Sequence, residues 1–170
     1  DDLLYVLATL SSVSSVSYIQ KPVYNYRILE NSTLHSYKPT ILESNENIFK
    51  GIEIIINSYC RLHEKDRELF LEPYYAHVFR RMVDSLSFYF FNPKREEELA
   101  TTLNKLKKVL ECEPYKTSIL KLNPDTLTKY NNLQWRMAKH NFVMGMFLLY
   151  KMSISGKKII SFINSKKRKK

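Results

Sequence analysis

Glycine and proline are scarce in this 170-residue chain, three and six residues respectively. That is too few for the many tight turns of a loop-dominated all-β fold and points to helices. Cysteine is scarcer still. Cys60 and Cys112 make neither a disulfide scaffold nor a metal cluster, so two free thiols in a reducing compartment are expected. The longest apolar run, Phe142 to Tyr150, has nine residues, against the roughly 20 that a membrane-spanning helix needs. There is no glycine-rich phosphate loop, no His-Glu-x-x-His, no nucleophile elbow and no Asp-x-Asp. The histidines His35, His63, His77 and His140 stand on different segments, and each is expected to be a surface or satisfied side chain rather than a catalyst.

What the chain does contain is enough apolar material, 44% of its residues, for a core that needs no metal or disulfide. Its net charge of +10 is uneven. Residues 151–170 hold Lys151, Lys157, Lys158, Lys166, Lys167, Arg168, Lys169 and Lys170 and no acid, which leaves 19 basic and 17 acidic groups for the first 150 residues. A nucleic-acid-binding domain carries its charge along a folded face with interleaved aromatics. This body is nearly neutral, so nucleic acid is not an expected partner. The chain opens on Asp1 with neither an initiator methionine nor a signal peptide, and is expected to be a piece of a longer protein.

Periodicity divides the chain. Leu3 to Leu10 predicts a buried helix ended by the serines from Ser11 to Ser17. From Tyr18 to Ile28 the period falls to two, which predicts two short strands interrupted at Pro22, followed by a loop from Leu29 to Leu42. Helical spacing then takes over. Ser44 or Asn45 is expected to cap a helix with Ile48, Ile52, Ile55, Tyr59 and Leu62 on one stripe. A second helix is expected from Asp66 or from Pro73, with Ala76, Phe79, Val83, Leu86 and Phe90 inside. Asn92-Pro93 should stop it and cap a third, whose first turn holds Glu96, Glu97 and Glu98 and whose stripe is Leu99, Leu103, Leu106 and Leu110. A short element at Tyr115 to Leu120 precedes one long helix, capped by Asn123, begun at Pro124 and running to about Ser153. No constellation of catalytic residues emerges from these helices.

The N-terminal segment is different. Asp1-Asp2 opens an apolar helix, and VSYIQKPVYNYRILENST follows, with Tyr24-Asn25-Tyr26-Arg27 and Asn31-Ser32. This order, over about residues 1–36, resembles the end of the catalytic domain in bacterial family 2 glycosyltransferases of the GT-A fold. The resemblance implies an inverting transfer of sugar from a nucleotide-sugar donor to a polysaccharide or lipid-linked acceptor in surface glycan synthesis. It implies Asp2 as the general base that takes the acceptor hydroxyl's proton. Asp1 becomes a supporting acid where the family more often has glutamate, a departure that keeps the charge and shortens the reach. Tyr26, Arg27, Asn31 and Ser32 become donor or acceptor contacts, Arg27 through a guanidinium fork on the anionic donor. The alternative for Tyr24, Tyr26 and Arg27 is packing at a sheet edge. The family's metal-binding Asp-x-Asp lies upstream, so a divalent metal (Mg or Mn) is expected in the full-length parent and no cofactor in this piece, which alone should be inactive.

The expected fold class is therefore mainly α: a helical bundle of four or five helices over 44–153, behind a short α/β remnant of a GT-A catalytic domain at 1–43 and ahead of a basic tail at 154–170. In the tail, Ile159, Ile160, Phe162 and Ile163 beside Lys157 and Lys158 have the layout of a short interfacial helix on an anionic membrane. Lys166, Lys167, Arg168, Lys169 and Lys170 would add attraction to that surface, a solvated terminus being the alternative. The expected location is cytoplasmic, peripheral at the inner face of the plasma membrane. A non-enzymatic helical module for protein interaction or membrane docking is the competing reading. It would use the stripe Trp135, Met137, Phe142, Met144, Met146 and Phe147 as a partner groove or the seam of a homo-oligomer, where amphipathic helices ordinarily bury such a stripe as core.

Overall fold

Apolar spacing becomes helix along most of the chain, but the ends of the helices are set by what each terminal residue can bury or bond. The computed structural model describes residues 2–17 (Asp2 by its backbone alone), 20–21 and 36–154. These are mainly helical, with no strand among the described residues. In order they form α1 (Asp2–Ser12), α2 (Ile41–Leu62), α3 (Glu68–Ser85), a π-helical turn Leu86–Phe90, α4 (Leu99–Glu111), α5 (Tyr115–Lys121), a 3-10 turn Pro124–Thr126, α6 (Lys129–Lys139) and α7 over 143–154. The strands expected between Tyr18 and Ile28 fall almost wholly outside the described residues, and the tail from 155 onward does so completely. The chain divides into two compact units, Asp1–Leu71 and Glu72–Lys170.

In the first unit α1 ends among the serines as expected, with the hydroxyls of Ser11 and Ser12 donating back to the Ala8 carbonyl at 2.8 and 2.9 Å. It is not the buried helix that its apolar run predicts. Tyr5 is 75% exposed, Val6 and Leu10 are exposed too, and Leu3, Leu4 and Leu7 are only half-buried. The reason is that α1 packs on α2 along one side. There Leu4 lies over Gly51, where a Cβ would stand 2.8 Å from the leucine methyls. The expected caps at Ser44 and Asn45 are also corrected. Both lie inside α2, which starts at Ile41 behind Thr40, a cap residue with no side-chain cap bond. Ile41 is buried on the same face as Asn45, Ile48 and Ile52, so burial extends the helix one turn back past its best capping residues. At the other end the stripe fades, with Ile55 and Tyr59 half-buried and Leu62 exposed. The helix closes with Glu64 at φ 51° and the Lys65 N–H donating to the Cys60 carbonyl at 3.0 Å. The Asp66 carboxylate then accepts the Glu68 N–H at 3.0 Å and opens α3, so Pro73 lies inside that helix rather than in its first turn.

In the second unit α3 buries Tyr74, Ala76, Val78, Phe79 and Met82, while Val83 of the expected face is half-buried. It runs into the π-helical turn, where the Phe91 N–H donates to the Leu86 carbonyl at 2.7 Å. Asn92 stops the helix as expected, but it does not cap the next one: its side-chain amide oxygen accepts the Lys94 N–H in a local turn, and α4 begins only at Leu99 behind Glu98. The three glutamates therefore precede α4 instead of occupying its first turn. Leu103, Leu106 and Leu110 are buried along α4, joined by Thr102, and Leu99 at the open end is exposed.

The single long helix expected from Pro124 is three pieces. Asn123 does cap, accepting the Asp125 N–H at 3.1 Å, but only a 3-10 turn follows before Leu127 becomes extended. Thr128 then caps α6 by accepting the Asn131 N–H. Asn141, at φ 55°, closes it: its N–H donates to the Ala138 carbonyl and that of Phe142 to the Met137 carbonyl, at 3.0 and 2.8 Å. The Asn141 amide also donates to Glu111 of α4 at 3.0 Å, which fixes the break in place. The expected stripe splits with the helix. Met146 is fully buried, Trp135, Met137 and Phe147 are half-buried, and Phe142 and Met144 are exposed.

Glu64 is exposed and holds a left-handed conformation that costs a side-chain-bearing residue roughly 1–2 kcal/mol, part of which glycine's freedom in the unfolded chain offsets. Glu64→Gly is expected to stabilise the protein by about 0.5–1 kcal/mol in urea unfolding. Asn141→Gly should gain nothing, because the bond to Glu111 goes with the side chain.

Candidate functional site

Of the residues given a catalytic, sugar-binding or tail membrane role from the sequence, Asp2 falls on a described element, as the first residue of α1. That places it at the positive end of an apolar helix, where a carboxylate is favoured. Asp1, Tyr26, Arg27, Asn31 and Ser32 lie outside the described residues, as do Lys157, Lys158, Lys166, Lys167, Arg168, Lys169 and Lys170.

Two arrangements in the second unit escaped the sequence reading. The first is an open groove of about 460 Å³ lined by Pro124, Asp125, Leu127, Lys129, Asn132, Leu133 and Arg136. It exists because the 3-10 turn and α6 are separate pieces, with the Asn132 amide donating to the Pro124 carbonyl at 3.0 Å across the bend. The same Asn132 accepts from Arg136 Nε at 3.0 Å, which orients the guanidinium and leaves its terminal nitrogens clear of any ion pair among the described residues. Lys129 is likewise not ion-paired among them, while Asp125 supplies one carboxylate. Chemically this is a binding surface: two cations and a carboxylate beside Leu127 and Leu133 suit a ligand with an anionic group, hydroxyls and an apolar edge. The signal available in the sequence was Asn123-Pro124-Asp125, a turn former before it is a helix start.

The second is a charged knot in front of α4. The side chain of Arg95 is only 6% exposed, with its guanidinium 4.1 Å from the centre of the Tyr89 ring. Glu97 accepts from Arg95 Nε at 3.0 Å, from a terminal nitrogen of the same guanidinium, from Lys105 and from the Thr102 hydroxyl. Lys105 first, and then Arg95, hold the Glu97 carboxyl down at about 2. Elsewhere burial, reinforced by Arg81 and Arg80, pushes His77 below its usual value, and burial raises Tyr150; both shifts favour the uncharged form. Among the described residues no group of three or more His, Cys, Asp or Glu side chains is placed to hold a metal ion, and no helix is long and apolar enough to cross a membrane.

Comparison with protein-family models, with curated proteins and with solved structures finds no match.

The depressed Glu97 carboxyl stabilises the fold fully above its ordinary value of 4.5, and that contribution is lost as pH falls from there toward about 2, where the folded form takes up the proton. Glu97→Gln is expected to be less stable than the wild type at neutral pH and to show a flatter loss of stability through this window. Identical acid slopes in urea titrations of the two proteins would show that the knot does not contribute.

Proposed function

We propose that this chain is the C-terminal part of a bacterial family 2 glycosyltransferase, and that the helices from α2 onward are its accessory region. The observation that carries the reading is the N-terminal order of residues: an acidic pair whose second member begins the apolar helix α1, then Tyr24-Asn25-Tyr26-Arg27, then Asn31-Ser32. The exposed Tyr5, Val6 and Leu10 of α1 agree with it, since a helix of a catalytic domain covers more apolar surface than α2 alone offers here.

In this reading Asp2 accepts the proton of the acceptor hydroxyl as that oxygen attacks the anomeric carbon, while the bond to the nucleoside diphosphate breaks on the opposite side and the configuration inverts. Arg27 would pair with the anionic donor. The acceptor would be a growing polysaccharide or a lipid-linked glycan. The resemblance puts the divalent metal (Mg or Mn) on an Asp-x-Asp upstream of the acidic pair, a motif that this sequence does not hold. The competing reading, a docking module without catalysis, is favoured by one observation: α7 keeps apolar side chains on its outer as well as its inner face.

In the full-length protein Asp2→Asn is expected to abolish sugar transfer without loss of helix content, measured as donor-dependent glycan product alongside circular dichroism. Retained turnover would remove the base assignment. Arg27→Ala is expected to weaken donor binding in titration calorimetry, and unchanged donor affinity would leave Arg27 a packing role only.

A further inference from the structure

Helix α7 is apolar on two opposite sides. Met146 and Tyr150 are buried, and Tyr150 and Phe147 pack on Phe91 with ring centres 5.4 and 5.1 Å apart. On the far side Met144, Leu148 and Met152 follow one another at steps of four, within an arc of about 80° at 100° per residue. Their exposure rises along the helix, from 42% through 53% to 71%. Phe142, 54% exposed, joins them: its ring closes over Gly145, where a Cβ would stand 2.4 Å away. A helix with one buried face has no packing reason to carry a second apolar stripe toward water.

The charge that follows says what the stripe faces. Lys151 stands on the exposed side of α7, and the next 19 residues add seven more cations, no acid, and the apolar residues Ile159, Ile160, Phe162 and Ile163. Apolar side chains that enter the headgroup boundary, next to a dense run of lysine, match an anionic lipid surface, where burial of the stripe and attraction of the cations act together. A protein groove would have to supply acids over the whole segment as well as an apolar trough. A nucleic acid would use the cations but leave the stripe unexplained.

We propose that the outer face of α7 docks on an anionic membrane, with Phe142, Met144, Leu148 and Met152 as its apolar anchor and the positive charge of the sequence that follows selecting anionic lipid. The residues expected from the sequence to touch a membrane are the cations of the tail; the anchor proposed here lies on a folded helix, so that docking would orient the whole second unit. The inference is independent of sugar transfer and holds whether or not the parent is a glycosyltransferase.

The test uses the 170-residue chain in co-sedimentation with phosphatidylcholine vesicles made with and without phosphatidylglycerol. Binding is expected only with the anionic lipid, weakening as salt is raised. The double variant Leu148→Glu with Met152→Glu changes two exposed side chains, so helix content should be unchanged, and it is expected to lower vesicle partitioning by roughly tenfold or more. Replacing Lys166, Lys167, Arg168, Lys169 and Lys170 by glutamine should weaken binding with the stripe intact. Three results would overturn the proposal: no binding to anionic vesicles, vesicle binding by the double variant equal to that of the wild type, or a stripe whose only effect is to shift a monomer–dimer equilibrium in sedimentation. Binding to a duplex oligonucleotide in place of vesicles would overturn it equally.

Discussion

The hydroxyl of Ser118, wholly buried, donates to the backbone carbonyl of Tyr75 at 2.7 Å, and the second unit is organised outward from that bond. It ties the seven-residue α5, too short to be stable alone, to the middle of α3. From α5 the pattern repeats. Trp135 of α6 donates its indole N–H to the Ile119 carbonyl at 2.9 Å, and the buried Gln134 of the same helix reaches the Met146 carbonyl of α7 at 3.4 Å and the Tyr130 hydroxyl at 3.0 Å. Apolar burial drives these helices together but is indifferent to register. A buried donor that must find a particular carbonyl is not indifferent, because leaving it unpaired costs about 1–3 kcal/mol. Three bonds of this kind, that of Trp135 from a half-buried ring, join α3 to α5, α5 to α6 and α6 to α7.

Scarcity of glycine shapes the joints between helices. Left-handed positions after α2 and α6 are filled by Glu64 and Asn141, residues with a side chain to accommodate, while Gly51 and Gly145 sit inside helices where a neighbouring side chain comes too close for a Cβ. These two glycines serve close approach rather than turning. Asn141 is the better suited of the two caps, since its amide also holds Glu111 and thereby fastens the break between α6 and α7 to α4. Without that break α7 would continue α6 in a straight line. On α7 as it stands, Phe147 and Tyr150, one turn apart, both meet Phe91.

The chemistry that the sequence suggests and the surfaces that the structure displays occupy different parts of the chain. The acidic pair and the Tyr-x-Tyr-Arg segment carry their resemblance in residue order alone, which involves no tertiary contact. The groove beside α6 was not, because it arises from a bend that the apolar spacing of Leu127, Leu133 and Met137 conceals: extended Leu127 and the cap at Thr128 interrupt a pattern that reads as continuous. The Arg95–Glu97 knot was hidden for the same kind of reason. Three consecutive glutamates look like a favourable first turn, and only the packing of Tyr89 under Arg95 explains why Glu97 turns back toward Lys105 instead.

By itself the sequence determined that the chain is mainly helical, which sides of α2 and α4 turn inward, that serines end α1 and Asn92 ends the helical run begun by α3, and that its charge gathers at one end. These follow from local spacing, serine and asparagine chemistry and simple counting. The tertiary structure decided the starts of α2 and α4, the division of one long periodic stretch into three pieces, and the exposure of α1 and of the outer side of α7. Each of those depends on how much surface a neighbouring element covers and which buried donor it must satisfy, and neither quantity is written in the spacing of residues along one helix.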